Sequence, residues 1–143
     1  MSQIAVIYWS GTGNTESMAR AVEDGAKKAG AGTVLKTVSE ISAAEAASFD
    51  AIALGCPAMG DEVLEEGEFA PFFSELEGSL SGKKVALFGS YGWGDGQWMR
   101  DWQDRVTAAG AFLCGQEGLI LQNAPDDDGL AQCEELGEAL ARM

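Results

Sequence analysis

Apolar residues follow two rhythms along this chain, and the rhythms alternate. Residues 3–9 are almost continuously apolar through Ile4, Ala5, Val6, Ile7, Tyr8 and Trp9, the pattern of a strand covered on both faces. Met18, Val22, Gly25, Ala26 and Ala29 then recur at helical spacing, predicting a helix over residues 14–29 with Lys27 and Lys28 in its last turns and Gly30 as its stop. Residues 33–38 set Val34, Leu35 and Val38 among Thr and Lys, as suits an edge strand, and residues 42–48 have room only for a short helix. A third strand is predicted over residues 50–55. A helix opens near Phe69, with Pro71 in its first turn and Phe69, Phe72, Phe73 and Leu76 on its core face. After a turn at residues 81–84, a fourth strand covers residues 85–89, and a helix over residues 97–109 turns Met99, Trp102, Val106 and Ala109 inward. The fifth strand spans residues 112–121, interrupted near residues 115–118. Asp126, Asp127 and Asp128 open the last helix, where acidic groups complement the dipole, and Leu130, Cys133, Gly137 and Leu140 form its inner stripe.

The order βαβαβαβαβα predicts an α/β domain. It is a doubly wound, five-stranded parallel sheet in the order 2-1-3-4-5 with helices on both faces, and residues 1–143 form one domain. That order places a ligand crevice at the carboxyl ends of the strands, between the first and third. The loops after strands one, three and four all lie at that end.

The first of these loops is Ser10-Gly11-Thr12-Gly13-Asn14-Thr15. A hydroxyl- and glycine-rich turn leading into a helix start suits an anion, because the first helical N–H groups lack internal partners and carry the positive end of the dipole. A P-loop would need Gly-Lys-Ser/Thr where Glu16, Ser17 and Met18 stand, and a dinucleotide fingerprint would need a third glycine where Glu16 stands. With no Lys or Arg in the loop, neutral donors would hold a single phosphate. Read alone, the same residues also make a well-capped βα turn. In the loop after strand four, Trp93 sits between Gly92 and Gly94, badly placed for a core and well placed to stack on a flat ligand; the competing reading tucks it against the sheet rim. Met59, after strand three, could cover the opposite face of such a ligand or simply pack its own loop. Trp9 could send its indole N–H toward the site, although core packing is the preferred reading.

Composition narrows the function further. The formal net charge is −14 and there is no histidine, which excludes Ser-His-Asp chemistry and most zinc sites. Such acidity argues against nucleic acid and anionic membrane surfaces and favours basic protein partners; solubility alone is the blander reading. Much of it is concentrated in Asp61, Glu62, Glu65, Glu66 and Glu68, of which the last three read as solvated surface charges. Cys56, Cys114 and Cys133 form no C-x-x-C pair and read as small buried hydrophobes; a redox role for Cys56 is disfavoured because no Lys, Arg or His adjoins it in sequence. No signal-peptide pattern and no membrane span is visible, so a soluble cytoplasmic protein is expected.

Taken together, the motifs resemble a known family. The stretch from Val6 to Val22 resembles the flavodoxin signature, with Val6, Ile7 and Tyr8 followed by Ser10, Gly13, Thr15, Ala19 and Val22 at the family spacing. Residues 56–62 (Cys-Pro-Ala-Met-Gly-Asp-Glu) and 89–95 (Gly-Ser-Tyr-Gly-Trp-Gly-Asp) look like that family's flavin-embracing loops, and the uninserted last strand points to its short-chain type. The resemblance implies a flavodoxin-like fold holding FMN non-covalently. It assigns the phosphate to Ser10, Gly11, Thr12, Gly13, Asn14 and Thr15. The flavin ring falls to Ala58, Met59, Gly60, Asp61, Glu62, Ser90, Tyr91, Gly92, Trp93, Gly94 and Asp95, with Asn123, and more weakly Gln122, near the ring edge or ribose. Met59 and Trp93 would sandwich the ring, Glu62 would accept from flavin N3–H, and Gly94 and Asp95 would offer backbone N–H groups. By the same resemblance, the peptide at Gly60 turns over on one-electron reduction and stabilises a neutral semiquinone. Acidic surroundings then disfavour the anionic reduced form.

The resulting expectation is a low-potential one-electron carrier, shuttling between semiquinone and hydroquinone, with no catalytic residues and no metal. A quinone- or azo-type flavin reductase of the same fold is the alternative, disfavoured by the short loops. A phospho-receiver domain fails because Ser10 and Gly11 stand where its acidic pair belongs. The expected partners are basic-surfaced redox proteins: reductases, hydrogenase- or nitrogenase-type enzymes and pyruvate-oxidising enzymes. Neither nucleic acid nor membrane is expected to bind, and the protein should be a monomer.

Overall fold

The computed structural model describes residues 3–11, 13–59, 63–92 and 94–143. Five strand positions form one parallel sheet. β1 (Gln3–Tyr8) pairs on one side with β2 (Gly32–Thr37) and on the other with β3 (Ala51–Gly55), which pairs with β4 (Lys84–Tyr91). The fifth position is shared by two short pieces, β5 (Phe112–Leu113) against the start of β4 and β6 (Leu119–Gln122) against its end. The order is therefore 2-1-3-4-5, as the alternation of elements predicts. The break expected in the fifth strand is a 3₁₀ turn over Cys114–Gln116, in which Gly115 takes a φ of 74°. β4 runs two residues beyond the expected Gly89, because Ser90 and Tyr91 pair with Leu121 and Gln122 of β6.

Side chains alternate cleanly across the sheet. Ala5, Ile7, Ile52, Leu54, Val85 and Leu87 face one core, and Ile4, Val6, Ala51, Ala53, Ala86 and Phe88 the other, as period-two geometry demands. The first core is closed by α2 (Ala43–Ala47), α3 (Phe69–Glu77) and α4 (Gln97–Ala108), through Phe69, Phe73, Leu76, Trp98, Trp102 and Val106. The second is closed by α1 (Asn14–Lys28) and α5 (Asp127–Ala141), through Met18, Val22, Cys133 and Leu140. α1 and α5 approach backbone to backbone: a Cβ on Gly25 would lie 1.9 Å from the Glu134 carbonyl oxygen, and one on Gly137 2.0 Å from that of Val22. Among the described residues no helix is long and apolar enough to cross a membrane, and no cluster of His, Cys, Asp or Glu is arranged to hold a metal ion.

Candidate functional site

The parallel register brings Tyr8, Gly55 and Phe88 level, so the first three loops leave the sheet together. Ladder bonds continue past the strand ends and aim those loops. Trp9 N–H donates to the Gly55 carbonyl at 3.0 Å, Cys56 N–H to Phe88 at 3.1 Å, and Ala58 N–H to Ser90 at 3.0 Å.

In the first loop the Ser10 hydroxyl oxygen accepts from Gly13 N–H at 3.0 Å, and Gly13 turns at a φ of 95° into α1. Ser42 caps α2 and Asp126 caps α5 with side-chain oxygens, but the residue at the start of α1 has no side chain to offer. The N–H groups of the first turn of a four-turn helix are left for an external acceptor. Thr15 is buried, and its hydroxyl lies 3.2 Å from that of buried Ser90, bracing the first loop against β4.

The second loop brings Pro57, Ala58 and Met59 out of the sheet, and Met59 N–H returns to the Val63 carbonyl at 3.0 Å. Cys56 is fully buried at its root. Desolvation pushes its thiol up to about 12, so it stays protonated, as a packing residue should. The acidic stretch that follows is more ordered than its composition predicts. Glu65 is not a solvated charge: its carboxylate accepts from the N–H groups of Gly67, Glu68 and Phe69 at 2.7–2.8 Å, capping α3. Burial alone would raise its pKa, yet the three hydrogen bonds outweigh it and hold the carboxyl below the usual range. Glu68 is likewise engaged, accepting from the indole Nε1 of Trp9 at 3.1 Å; Trp9 is only half-buried, so the preferred core-packing reading gives way to a wall residue with a partner on the second loop.

The third loop is held from the side by the end of β6. Asn123, at a φ of 59°, donates its N–H to the Tyr91 carbonyl at 2.7 Å, and Gln122 Nε2 donates to the Gly92 carbonyl at 3.3 Å. Asp95 accepts from Arg100 of α4 through both carboxylate and carbonyl oxygens at 3.0 Å, which draws it toward that helix.

Between the loops lies a cleft of about 300 Å³. The first loop contributes Trp9, Gly11 and Asn14, the second Pro57, Ala58 and Met59, the third Ser90, Tyr91 and Gly92, and Asn123 closes the side. Of the residues expected from sequence, Gly11, Asn14, Ala58, Met59, Ser90, Tyr91, Gly92 and Asn123 thus meet at one cleft. Ser10 lines an adjoining depression with Tyr8, Glu16 and Glu68, while Gly13, Thr15, Gly94 and Asp95 stand behind or beside the walls. Thr12, Gly60, Asp61, Glu62 and Trp93 lie outside the described residues. Pro57 joins the lining unexpectedly, although its place within the second motif was a signal.

The cleft suits FMN. An uncapped helix start surrounded by hydroxyl and amide groups offers neutral donors to a phosphate. The remaining walls are largely apolar, and no Asp, Glu, Lys or Arg is among the described lining residues. Comparison with known proteins gives the same answer. The family model described as Flavodoxin matches residues 6–137. The flavodoxin of Clostridium beijerinckii is 48% identical over 138 residues, covering 96% of this chain and 99% of that protein. The flavodoxin of Megasphaera elsdenii is 47% identical, covering 97% and 98%. The solution structure of the two-electron reduced Megasphaera elsdenii flavodoxin superposes with a TM-score of 0.88 over 98% of this chain and 99% of that one. These relatives favour a carrier over a flavin reductase of the same fold. The chain belongs to the flavodoxin family and is an FMN-binding electron-transfer protein, an electron carrier rather than an enzyme.

Proposed function

We propose that this flavodoxin transfers one electron at a time at low potential, with FMN held non-covalently in the cleft between the three loops. The observation that carries this reading is the meeting of an uncapped α1 start with an apolar cleft wall free of described ionic groups. FMN supplies the redox chemistry when bound; the chain binds it, orients it and sets the charge around it. Ser10, Gly11, Thr12, Gly13, Asn14 and Thr15 serve the phosphate, with Thr15 acting through Ser90. Ala58, Met59, Tyr91, Gly92, Trp93 and Asn123 enclose the ring system. Gly60, Asp61, Glu62, Gly94 and Asp95 serve its polar edge, as the family resemblance implies. A net charge of −14 and apolar walls both oppose added negative charge, which pushes the last reduction step to low potential.

The partners in this reading are oxidoreductases with basic surfaces, such as reductases and hydrogenase-, nitrogenase- or pyruvate-oxidising-type enzymes. The protein works as a cytoplasmic monomer, with no affinity for nucleic acid or membranes. Stepwise anaerobic reduction followed by visible absorption tests the redox reading. A yellow protein passing through a stable one-electron-reduced species supports it. Bleaching in a single two-electron step overturns it.

A further inference from the structure

A second cavity, of about 200 Å³, shares no described lining residue with the flavin cleft. It lies between the chain leaving the second loop and α4. Its floor is apolar, with Leu64, Trp98 and Trp102 all buried. The two indoles differ in one respect. Trp98 Nε1 donates to the Cys56 carbonyl at 3.2 Å, whereas Trp102 Nε1 is the one buried side-chain polar atom without a partner among the described residues. Trp102 is 1% exposed, so solvent at the surface does not satisfy it. A buried donor left unmade costs about 1–3 kcal/mol, and native interiors rarely tolerate one.

The exposed residues lining this cavity include the carboxylates of Glu66 and Asp101. Arg105 also lines it, but its guanidinium is committed to Glu77 through two hydrogen bonds of 2.9 and 3.1 Å and lies 4.7 Å over the Phe73 ring. Asp101 accepts from Gln97 at 2.8 Å and keeps its charge. The lining is therefore negative on its exposed side and a bare hydrogen-bond donor on its buried side. The walls are pre-set, because Trp102 stands perpendicular to Phe69 and Phe73 at 5.3 and 6.0 Å. The volume is of the order of the roughly 150 Å³ engineered cavity that takes one aromatic ring.

We propose that this cavity is a second binding site, for a one-ring aromatic cation whose neutral oxygen accepts from Trp102 Nε1 and whose ammonium group lies at Glu66 and Asp101.

A matched series of probes tests this on the FMN-loaded protein: tyramine, phenethylamine without the oxygen, and 3-(4-hydroxyphenyl)propionate with the opposite charge. The readout is the Trp102 indole N–H resonance, assigned by its loss in Trp102→Phe. The result expected is a saturating shift with tyramine, an affinity about tenfold weaker for phenethylamine, and no shift with the propionate at about 10 mM. Trp102→Phe, shown to be folded by retained FMN, should bind tyramine and phenethylamine equally, followed through the Trp98 indole. The proposal is overturned by absence of a saturating shift, by equal response to all three probes, by a tyramine preference that survives in Trp102→Phe, or by exchange of the Trp102 N–H with a buried water that no probe displaces.

Discussion

The indole Nε1 of Trp9 donates to a carboxylate oxygen of Glu68 at 3.1 Å, joining the first loop to the end of the second. Both ends of the bond are fixed by backbone: Trp9 N–H is tied to Gly55, and Glu68 N–H to the capping carboxylate of Glu65. The ring packs so close to Gly11 that a Cβ there would lie 3.1 Å from it. Trp9 is thus a partition, with the flavin cleft on one side and the depression lined by Ser10 and Glu68 on the other.

Removing the acceptor should loosen that partition. Glu68→Ala should weaken FMN binding about three- to tenfold, the worth of one net hydrogen bond, while Glu68→Gln keeps an acceptor oxygen and should stay near wild type. Titration of flavin fluorescence measures both. Equal affinities for wild type and Glu68→Ala would show that the ring holds its place without the bond.

Thr15 and Ser90 are 75 residues apart, yet their buried hydroxyls meet at 3.2 Å. Thr15→Val preserves shape and strands the Ser90 hydroxyl, at a cost of about 1–3 kcal/mol. For a domain of this size that lowers the midpoint of thermal unfolding by roughly 2–10 °C. Adding Ser90→Ala should recover part of the loss, since neither partner is then left unpaired. A double mutant as unstable as the sum of the singles would mean the two hydroxyls do not interact.

Those two pairs mark what sequence could and could not tell. β1 was legible because both its faces are buried, which leaves a continuous apolar run; α1 was legible because only one face is. Gly115 and Gly118 announced the break in the fifth strand. The cleft was legible as three loops at one end of the sheet. The destination of the Trp9 indole was not, because its partner lies 59 residues away and is one of several adjacent acids. Glu65 looked like its neighbours for the same reason: only the turn at residues 65–69 selects which carboxylate meets the free N–H groups of α3.

The contact between α1 and α5 has no room for a side chain at Gly25 or Gly137. Gly25→Ala should destabilise by about 1–3 kcal/mol or more, because backbone rather than a flexible side chain must move. α1 also carries the phosphate loop, at its opposite end. FMN affinity measured well below the unfolding midpoint should therefore change less than stability does. Urea unfolding monitored by circular dichroism gives the first quantity and fluorescence titration the second. A Gly25→Ala protein of unchanged stability would show that the helices separate freely.

The cap made by Glu65 has a pH dependence of definite sign. Three backbone N–H groups stabilise its ionised form in the folded protein, so its folded pKa lies below its unfolded one, near 4.3. A depressed carboxylate contributes stability that is fully present above the unfolded pKa and is lost as pH falls through the folded one. Glu65→Gln retains an acceptor oxygen but not the charge. The mutant should be less stable than wild type at about pH 7, and the gap should close as the pH falls below about 4. The rest of the acidic surface affects both proteins alike, so the difference between their urea-unfolding free energies isolates this group. A gap that stays constant from neutral to acid pH would mean that Glu65 acts through shape alone. A gap that widens in acid would reverse the sign and place the folded pKa above the unfolded one.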